Sequence, residues 1–381
     1  MQDIEYIDSG TALGAFCGAM RDRPWLALDT EFLREKTYYP RLCLVQISDG
    51  DRIALIDPLA IDDLTPLYEL LDNPDCVKVL HASHQDLELL YHVSGRVPGP
   101  IFDTQLAAPL AGHGEQPGYA ALVQKTLGVQ LQKGHARTDW NRRPLSREQL
   151  EYAADDVRYL GKVYLNIRDD LDRRGRLAWL NDELAALTDE RRYRTEPGDA
   201  WQRLKGTDRL KADQFSVLKA LAAWREERAM AIDRPRQWLL RDETLMDIAR
   251  LRPKDRQALS RLRGLNGKML DRYGDTLITL VKNALAGRHH PPPSRQRPTP
   301  LAPAQEPLLD LLMAVVRQRA LEENITPSAV CNRKDLERLL AGQREIPLLQ
   351  GWRRAMVGEL LQQVLAGKKS LRCVDNGLHI G

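Results

Sequence analysis

The chain has 381 residues, of which 43% are hydrophobic and 29% charged, the profile of a soluble globular protein long enough for two or three domains. No run of about 18 apolar residues occurs, so no transmembrane helix is expected, and the opening MQDIEYIDSG lacks the basic-then-apolar pattern of a secretory leader. The formal net charge of +3 hides an asymmetry: residues 1–200 carry 23 Lys+Arg against 33 Asp+Glu, residues 201–290 carry 20 against 11, and residues 291–381 carry 13 against 9.

An acidic first half joined to a basic second half points to a polyanionic partner held by the basic part. The five cysteines (Cys17, Cys43, Cys76, Cys331, Cys373) are scattered, with no C-x-x-C pair. That argues against a disulfide framework or a zinc site and for a reducing, cytoplasmic setting.

In chain order, WLALD (25–29) and LCLVQI (42–47) are apolar runs separated by the turn-like TYYPR, which predicts a β-hairpin. RIALIDP (52–58), VKVLHA (77–82) and the start of IFDTQLAA (101–108) read as three further strands. LTPLYELLDNP (64–74) and SHQDLELLYHV (83–93) have helical spacing between them, the second with Ser83 and Asp86 in a capping-box-like arrangement. Strands first, then strands alternating with helices, predict an α/β domain built on a mixed sheet flanked by helices.

Beyond about residue 104 the pattern is helical, with a long helix over 146–171 capped by Ser146 and Gln149 and a further one to about 193. The polar joint 192–206 leads into a helical unit at 207–287. A linker at 288–307 holds seven prolines, and a second helical unit follows at 308–375. The two units share an order of long, capped, short and closing helices, which suggests a degenerate duplication. The expected division is therefore 1–193, 207–287, linker 288–307 and 308–375.

Four acidic positions stand out. Asp29 and Glu31 share one face of the first predicted strand, at its end. Asp86 lies one turn into a helix, and Asp156 lies four residues after Tyr152 on another, with Asp155 equally admissible by geometry. Carboxylates closing an apolar strand need compensation, and a set of hard oxygen donors without a Cys or His cluster suits Mg²⁺ or Mn²⁺. Two such ions can clamp a phosphodiester, and a tyrosine hydroxyl can orient the attacking water.

Asp29-Thr30-Glu31, Asp86 within HQDLELL, and Tyr152-x-x-x-Asp156 resemble the three exonuclease motifs of the DEDD superfamily, in its DEDDy branch. LDTEFLREKTYYPRLCLVQI, FDTQLAA and TDWNRRPLSREQLEYAADDVRYL resemble the ribonuclease D family, and QFSVLKALAAWREERAMAIDRPRQWLLRDETLMDIARLRP resembles an HRDC domain. A second, weaker HRDC-like unit fits 308–375.

The resemblance implies an RNase H-like nuclease domain followed by two all-α HRDC-like domains. It also implies a 3′→5′ exoribonuclease that trims structured RNA such as tRNA precursors to nucleoside 5′-monophosphates. By the same resemblance, Asp29, Glu31, Asp86 and Asp156 are metal ligands for two Mg²⁺ or Mn²⁺ ions, Asp156 is chosen over Asp155, and Tyr152 positions the water.

Phe32, Gln105, Lys133, Arg137 and Trp140 are candidates for substrate contact, with core packing as the competing reading for Phe32 and Trp140. His81 and His84 read as core or cap residues. Lys205, Arg209, Lys211, Arg225, Arg228, Arg234 and Arg236 are candidates for sequence-independent phosphate contacts. RNA is the expected partner and a monomer the expected state. The competing functions are a DNA 3′→5′ exonuclease and an RNA-binding protein with an inactive site.

Overall fold

The computed structural model describes residues 4–131, 138–265, 267–289, 291–292, 301–375 and 377–381. Two compact units are present: one from residues 1–31, 42–190 and 298–381, the other from Phe32–Arg41 and residues 191–297.

The first unit is built on a six-stranded mixed sheet with strand order β1-β4-β3-β2-β5-β6. Its strands are β1 (Ile4–Ile7), β2 (Trp25–Leu33), β3 (Arg41–Ser48), β4 (Ile53–Ile56), β5 (Val77–Leu80) and β6 (Ile101–Asp103). β3 runs antiparallel to β4, whereas β1 pairs parallel with β4, β2 with β5, and β5 with β6. The mixed sheet is as expected. The edge strand β1, only IEYI, carries too short a pattern to be read from sequence.

β2 differs from expectation in length. Asp29 and Glu31 do not close a strand at residue 29; it continues to Leu33, so both carboxylates lie within regular β-structure. The unbroken alternation keeps them on one face and makes their mount stiffer than a loop.

Helices α1 (Gly10–Met20), α2 (Thr65–Leu71), α3 (His84–Ser94), α4 (Thr104–Ala107) and α5 (Tyr119–Leu127) follow in turn. The long helix expected over 146–171 is two, α6 (Arg147–Arg158) and α7 (Leu160–Arg173), parted at Tyr159. The capping box at the start of α6 forms, with Ser146 accepting from the Gln149 amide and Gln149 accepting from the Ser146 amide. α7 packs on Trp25 at the head of β2, closely enough that a Cβ on Gly161 would lie 2.2 Å from the indole ring. Only glycine admits that approach.

The C-terminal segment packs within this first unit. It comprises helices α14 (Glu306–Glu322), α15 (Pro327–Val330), α16 (Arg333–Leu340) and a closing helical run from Gly351 to Leu365, preceded in the chain by α8 (Asn181–Leu187) and by the five helices of the second unit described next. The Thr326 amide donates to Pro109 O, Arg176 pairs with Glu323, and the Trp179 and Trp352 rings stack with centroids 4.5 Å apart. The chain ends in an antiparallel hairpin, Leu371–Val374 with Gly377–Ile380, where an all-helical ending was expected.

The second unit holds α9 (Ala212–Ala231), α10 (Arg236–Leu239), α11 (Asp242–Leu251), α12 (Arg256–Ser260) and α13 (Gly267–Ala286) around a core of Phe215, Leu218, Leu221, Leu245, Ile248, Leu259 and Leu277. Arg225, an expected phosphate contact, belongs to this interior. It is 1% exposed and donates to Leu240 O and Asp242, so it holds helices together instead of meeting a ligand.

Candidate active site

Three elements converge on one acidic cluster. β2 supplies Asp29 and Glu31, and α6 supplies Asp156; carboxylate oxygens of these three residues lie within 4.8 Å of one another. Asp86, on the first turn of α3, stands beside them and repels Asp29, Glu31 and Asp156. Asp155, which spacing left open, instead pairs with Arg158, which also holds Glu151 at 3.0 Å.

The capping arrangement expected at Ser83 and Asp86 does not form. Ser83 donates its amide and hydroxyl to Asp103, each at 2.8 Å, while Asp86 accepts from the Thr30 hydroxyl. Asp103 also accepts the amides of Ala82 and of Gln105 and Leu106 at the start of α4. One buried carboxylate therefore fixes the entry of α3 and so places Asp86, 7% exposed, for its contact with Thr30. No local pattern marks Thr30 and Asp103, because their roles depend on Asp86, 56 residues from Thr30, and on Ser83, 20 residues from Asp103.

Burial raises all four carboxyl pKa values, and repulsion from neighbouring carboxylates adds to it. Burial, then Asp86, Asp156 and Glu31, hold Asp29 well above the usual carboxylate range. Burial, then Asp156 and Asp86, push Glu31 up to about 8. Burial, then Asp155 and Asp86, raise Asp156 to about 7, and Asp86 rises to about 6 chiefly through burial. Such crowding of hard anionic oxygens fits a divalent cation of the Mg²⁺ or Mn²⁺ type.

A carboxyl group that keeps its proton longer in the folded than in the unfolded state favours folding at low pH. That advantage is lost as pH rises through the folded value. The metal-free protein is therefore expected to lose thermal stability between about pH 4, the ordinary carboxylate value, and the raised values of about 6 to 8. Added Mg²⁺ should raise the melting temperature most at the upper end of that window. A metal-free melting temperature that climbs over the same interval would contradict this account.

Tyr152 faces the same field: burial, then Asp156, Glu31 and Asp29, raise its phenol pKa far above neutrality, so it is a proton donor at pH 7. Trp140 is 2% exposed and lies against Tyr152, with ring centroids 6.2 Å apart. Its observed place is packing behind the tyrosine, not a presented stacking surface. Tyr119 donates its hydroxyl to Asp155 O at 3.0 Å, tying α5 to α6 beside the cluster.

Arg143 fastens the segment before α6 to the sheet. It forms a bidentate pair with Asp57 at 2.6 and 2.7 Å and donates to Cys43 O and Trp140 O. Arg143→Met leaves the Asp57 carboxylate, only 2% exposed, without that partner. The expected cost is about 3 kcal/mol in urea unfolding, and a loss below about 1 kcal/mol would show that the clamp is not structural.

Phe32 is half-buried on β2 beyond Glu31. Gln105 donates to Pro117 O and lines a cavity of about 190 Å³ with Leu180, Trp352 and Arg353. His81 bonds Thr104 and Pro117 O, as a core histidine should, and His84 is exposed. Lys133 and Arg137 lie outside the described residues.

A mixed sheet presenting clustered carboxylates beside a tyrosine defines a cation-dependent phosphodiester nuclease, and comparison with known proteins agrees. A family model described as 3′-5′ exonuclease matches residues 4–172, and the HRDC domain model matches residues 214–281. Ribonuclease D of Granulibacter bethesdensis is 40% identical over 367 residues, covering 95% of this chain and 92% of that protein. Ribonuclease D of Pseudomonas paraeruginosa is 40% identical over 369 residues, covering 95% and 98%. The crystal structure of Escherichia coli RNase D, described as an exoribonuclease involved in structured RNA processing, superposes with a TM-score of 0.81 at 32% identity, covering 96% of this chain and 99% of that one.

The chain belongs to the ribonuclease D family and is a metal-dependent 3′→5′ exoribonuclease with an α/β exonuclease domain and a C-terminal helical HRDC-like region. Among the described residues, no helix is long and apolar enough to cross a membrane.

Proposed function

We propose that this enzyme trims the 3′ ends of structured RNA, such as tRNA precursors, releasing nucleoside 5′-monophosphates. The observation that carries the reading is the convergence of Asp29, Glu31 and Asp156, with Asp86 beside them, on one site. In this reading the four carboxylates hold two divalent cations, which when bound supply Lewis-acid stabilisation of the phosphoryl oxygens and of the leaving 3′-oxygen.

The chain's own groups do the rest. Tyr152 donates its hydroxyl hydrogen bond to the attacking water and fixes its line of approach to phosphorus. Water oxygen bonds to phosphorus as the water gives up one proton to solvent, the bond to the 3′-oxygen breaks, and the freed 3′-oxygen takes up a proton to become the 3′-hydroxyl. Thr30 and Asp103 keep Asp86 in place while this occurs.

The remaining assignments belong to the same proposal. Residues 1–193 form the nuclease domain, 207–287 a first HRDC domain, 288–307 a linker and 308–375 a second HRDC-like domain. The protein acts as a cytoplasmic monomer, with its basic second half holding RNA through phosphate contacts. Lys133, Arg137, Gln105 and Phe32 remain the substrate-contact candidates.

The test is incubation of purified protein with 3′-extended tRNA and a DNA of matched sequence, with Mg²⁺ or EDTA, and analysis of product ends. Stepwise release of 5′-monophosphates from RNA, stopped by EDTA, is expected. Equal trimming of DNA would favour the competing DNA exonuclease reading.

A further inference from the structure

The segment beyond the candidate ligands, Phe32–Arg41, which holds the last two residues of β2, the loop after them and the first residue of β3, is part of the helical unit. It is covalently continuous with Glu31 at one end and enters β3 at the other. Its holding is specific. One carboxylate oxygen of Asp233 accepts the amides of both Tyr38 and Tyr39, at 2.9 and 3.1 Å. The Tyr38 hydroxyl donates to Glu226 at 2.6 Å, and Arg234 donates to Lys36 O at 3.2 Å.

The Glu226 side chain is 1% exposed and also accepts from Arg203 at 2.9 Å and Arg236 at 3.4 Å. The Tyr38 ring packs on the core of the helical unit. Asp233 has φ +46°, a left-handed conformation that Asp tolerates better than most residues but that still carries a cost. The turn after α9 thus keeps an unfavourable backbone at the residue whose carboxylate receives the loop.

One anchored group, Lys36 O, comes three residues after Leu33, the last residue of β2. Three residues reach at most about 11 Å, so an anchor at Lys36 to Tyr39 restricts where the end of β2, with Glu31, can go. We propose that Tyr38, Asp233 and Glu226 are positioning residues for the acidic cluster: the helical domain sets the exit of β2 through this clasp, and so acts on hydrolysis itself as well as on RNA binding. The inference rests on reading the cluster around Asp29 and Glu31 as the catalytic site.

The test uses the full chain, Mg²⁺ and a pentaribonucleotide, short enough that a loss of distant RNA contacts costs little. Asp233→Ala removes the acceptor of both amides. It should lower kcat at least tenfold, leave KM within twofold, and raise severalfold the Mg²⁺ concentration giving half-maximal rate. Asp233→Asn keeps an acceptor oxygen and should retain more than half of wild-type kcat.

Tyr38→Phe keeps the ring in the core and removes only the hydroxyl bond to Glu226. It should lower kcat about threefold, and it serves as the deciding variant if Asp233→Ala does not fold. Wild-type kcat and Mg²⁺ dependence in the folded variants, or a change confined to KM, overturns the proposal. Asp29→Asn measured alongside separates the two readings: if it is active, the site assignment fails and the clasp falls with it; if it is inactive while Asp233→Ala behaves as wild type, only the clasp falls.

Discussion

Asp29→Asn should lower Mg²⁺-dependent RNA hydrolysis by more than about 10³-fold, equivalent to about 4 kcal/mol of transition-state stabilisation, while the protein stays folded. Asp29 carries the broadest set of interactions in the cluster: Asp86, Asp156 and Glu31 all act on its carboxyl group. Asn has nearly the same shape but neither the charge nor the second anionic oxygen that a hard cation requires.

The same substitution removes a buried charge from a repelling group, so the metal-free variant should melt at or above the wild-type temperature at pH 8. Asp156→Asn should behave alike, since Asp156 completes the three-residue group. Asp155→Asn should not, because Asp155 is engaged with Arg158. Radiolabelled RNA trimming with parallel thermal melts checks all three. Activity above a tenth of wild type in Asp29→Asn would remove it from the ligand set.

Tyr152→Phe should reduce kcat by about 10²-fold with KM little changed, the scale of a lost proton-positioning group acting in the transition state. The ring contact with Trp140 survives the change, so that packing stays in place. Because its neighbours and its burial keep the phenol protonated at neutral pH, Tyr152 works as a donor. The loss in kcat should then be uniform from pH 6 to 9. A loss that grew or vanished along that range would mark Tyr152 as the group that takes the proton instead.

The parts legible in sequence were those governed by near neighbours. The alternation Asp29-x-Glu31, the four-residue step from Tyr152 to Asp156 and the Ser146–Gln149 capping box all formed as their spacing required. The misreadings share a cause. Ser83 and Asp86 have the local pattern of a capping box, but Asp103 and Thr30 offer both side chains better partners. Arg225 has the charge of a phosphate contact, but Leu240 O and Asp242 take it into the interior. A polar side chain goes to the strongest partner within reach once the chain is compact, and local sequence does not say which that is.

By itself the sequence determined which residues can share a face, where helices begin, and which side chains bring hard oxygen donors. These depend on repeats of 2.0 and 3.6 residues and on groups a few positions apart. Spacing left Asp155 and Asp156 both open, the family resemblance chose Asp156, and the structure groups Asp156 with Asp29 and Glu31; only the tertiary structure decided that Asp103 sets the entry of α3, and that Asp233 and Glu226 receive the loop leaving β2. Those pairings join residues far apart in sequence, and they become favourable only when the packing of the whole chain has already met the entropy of bringing them together.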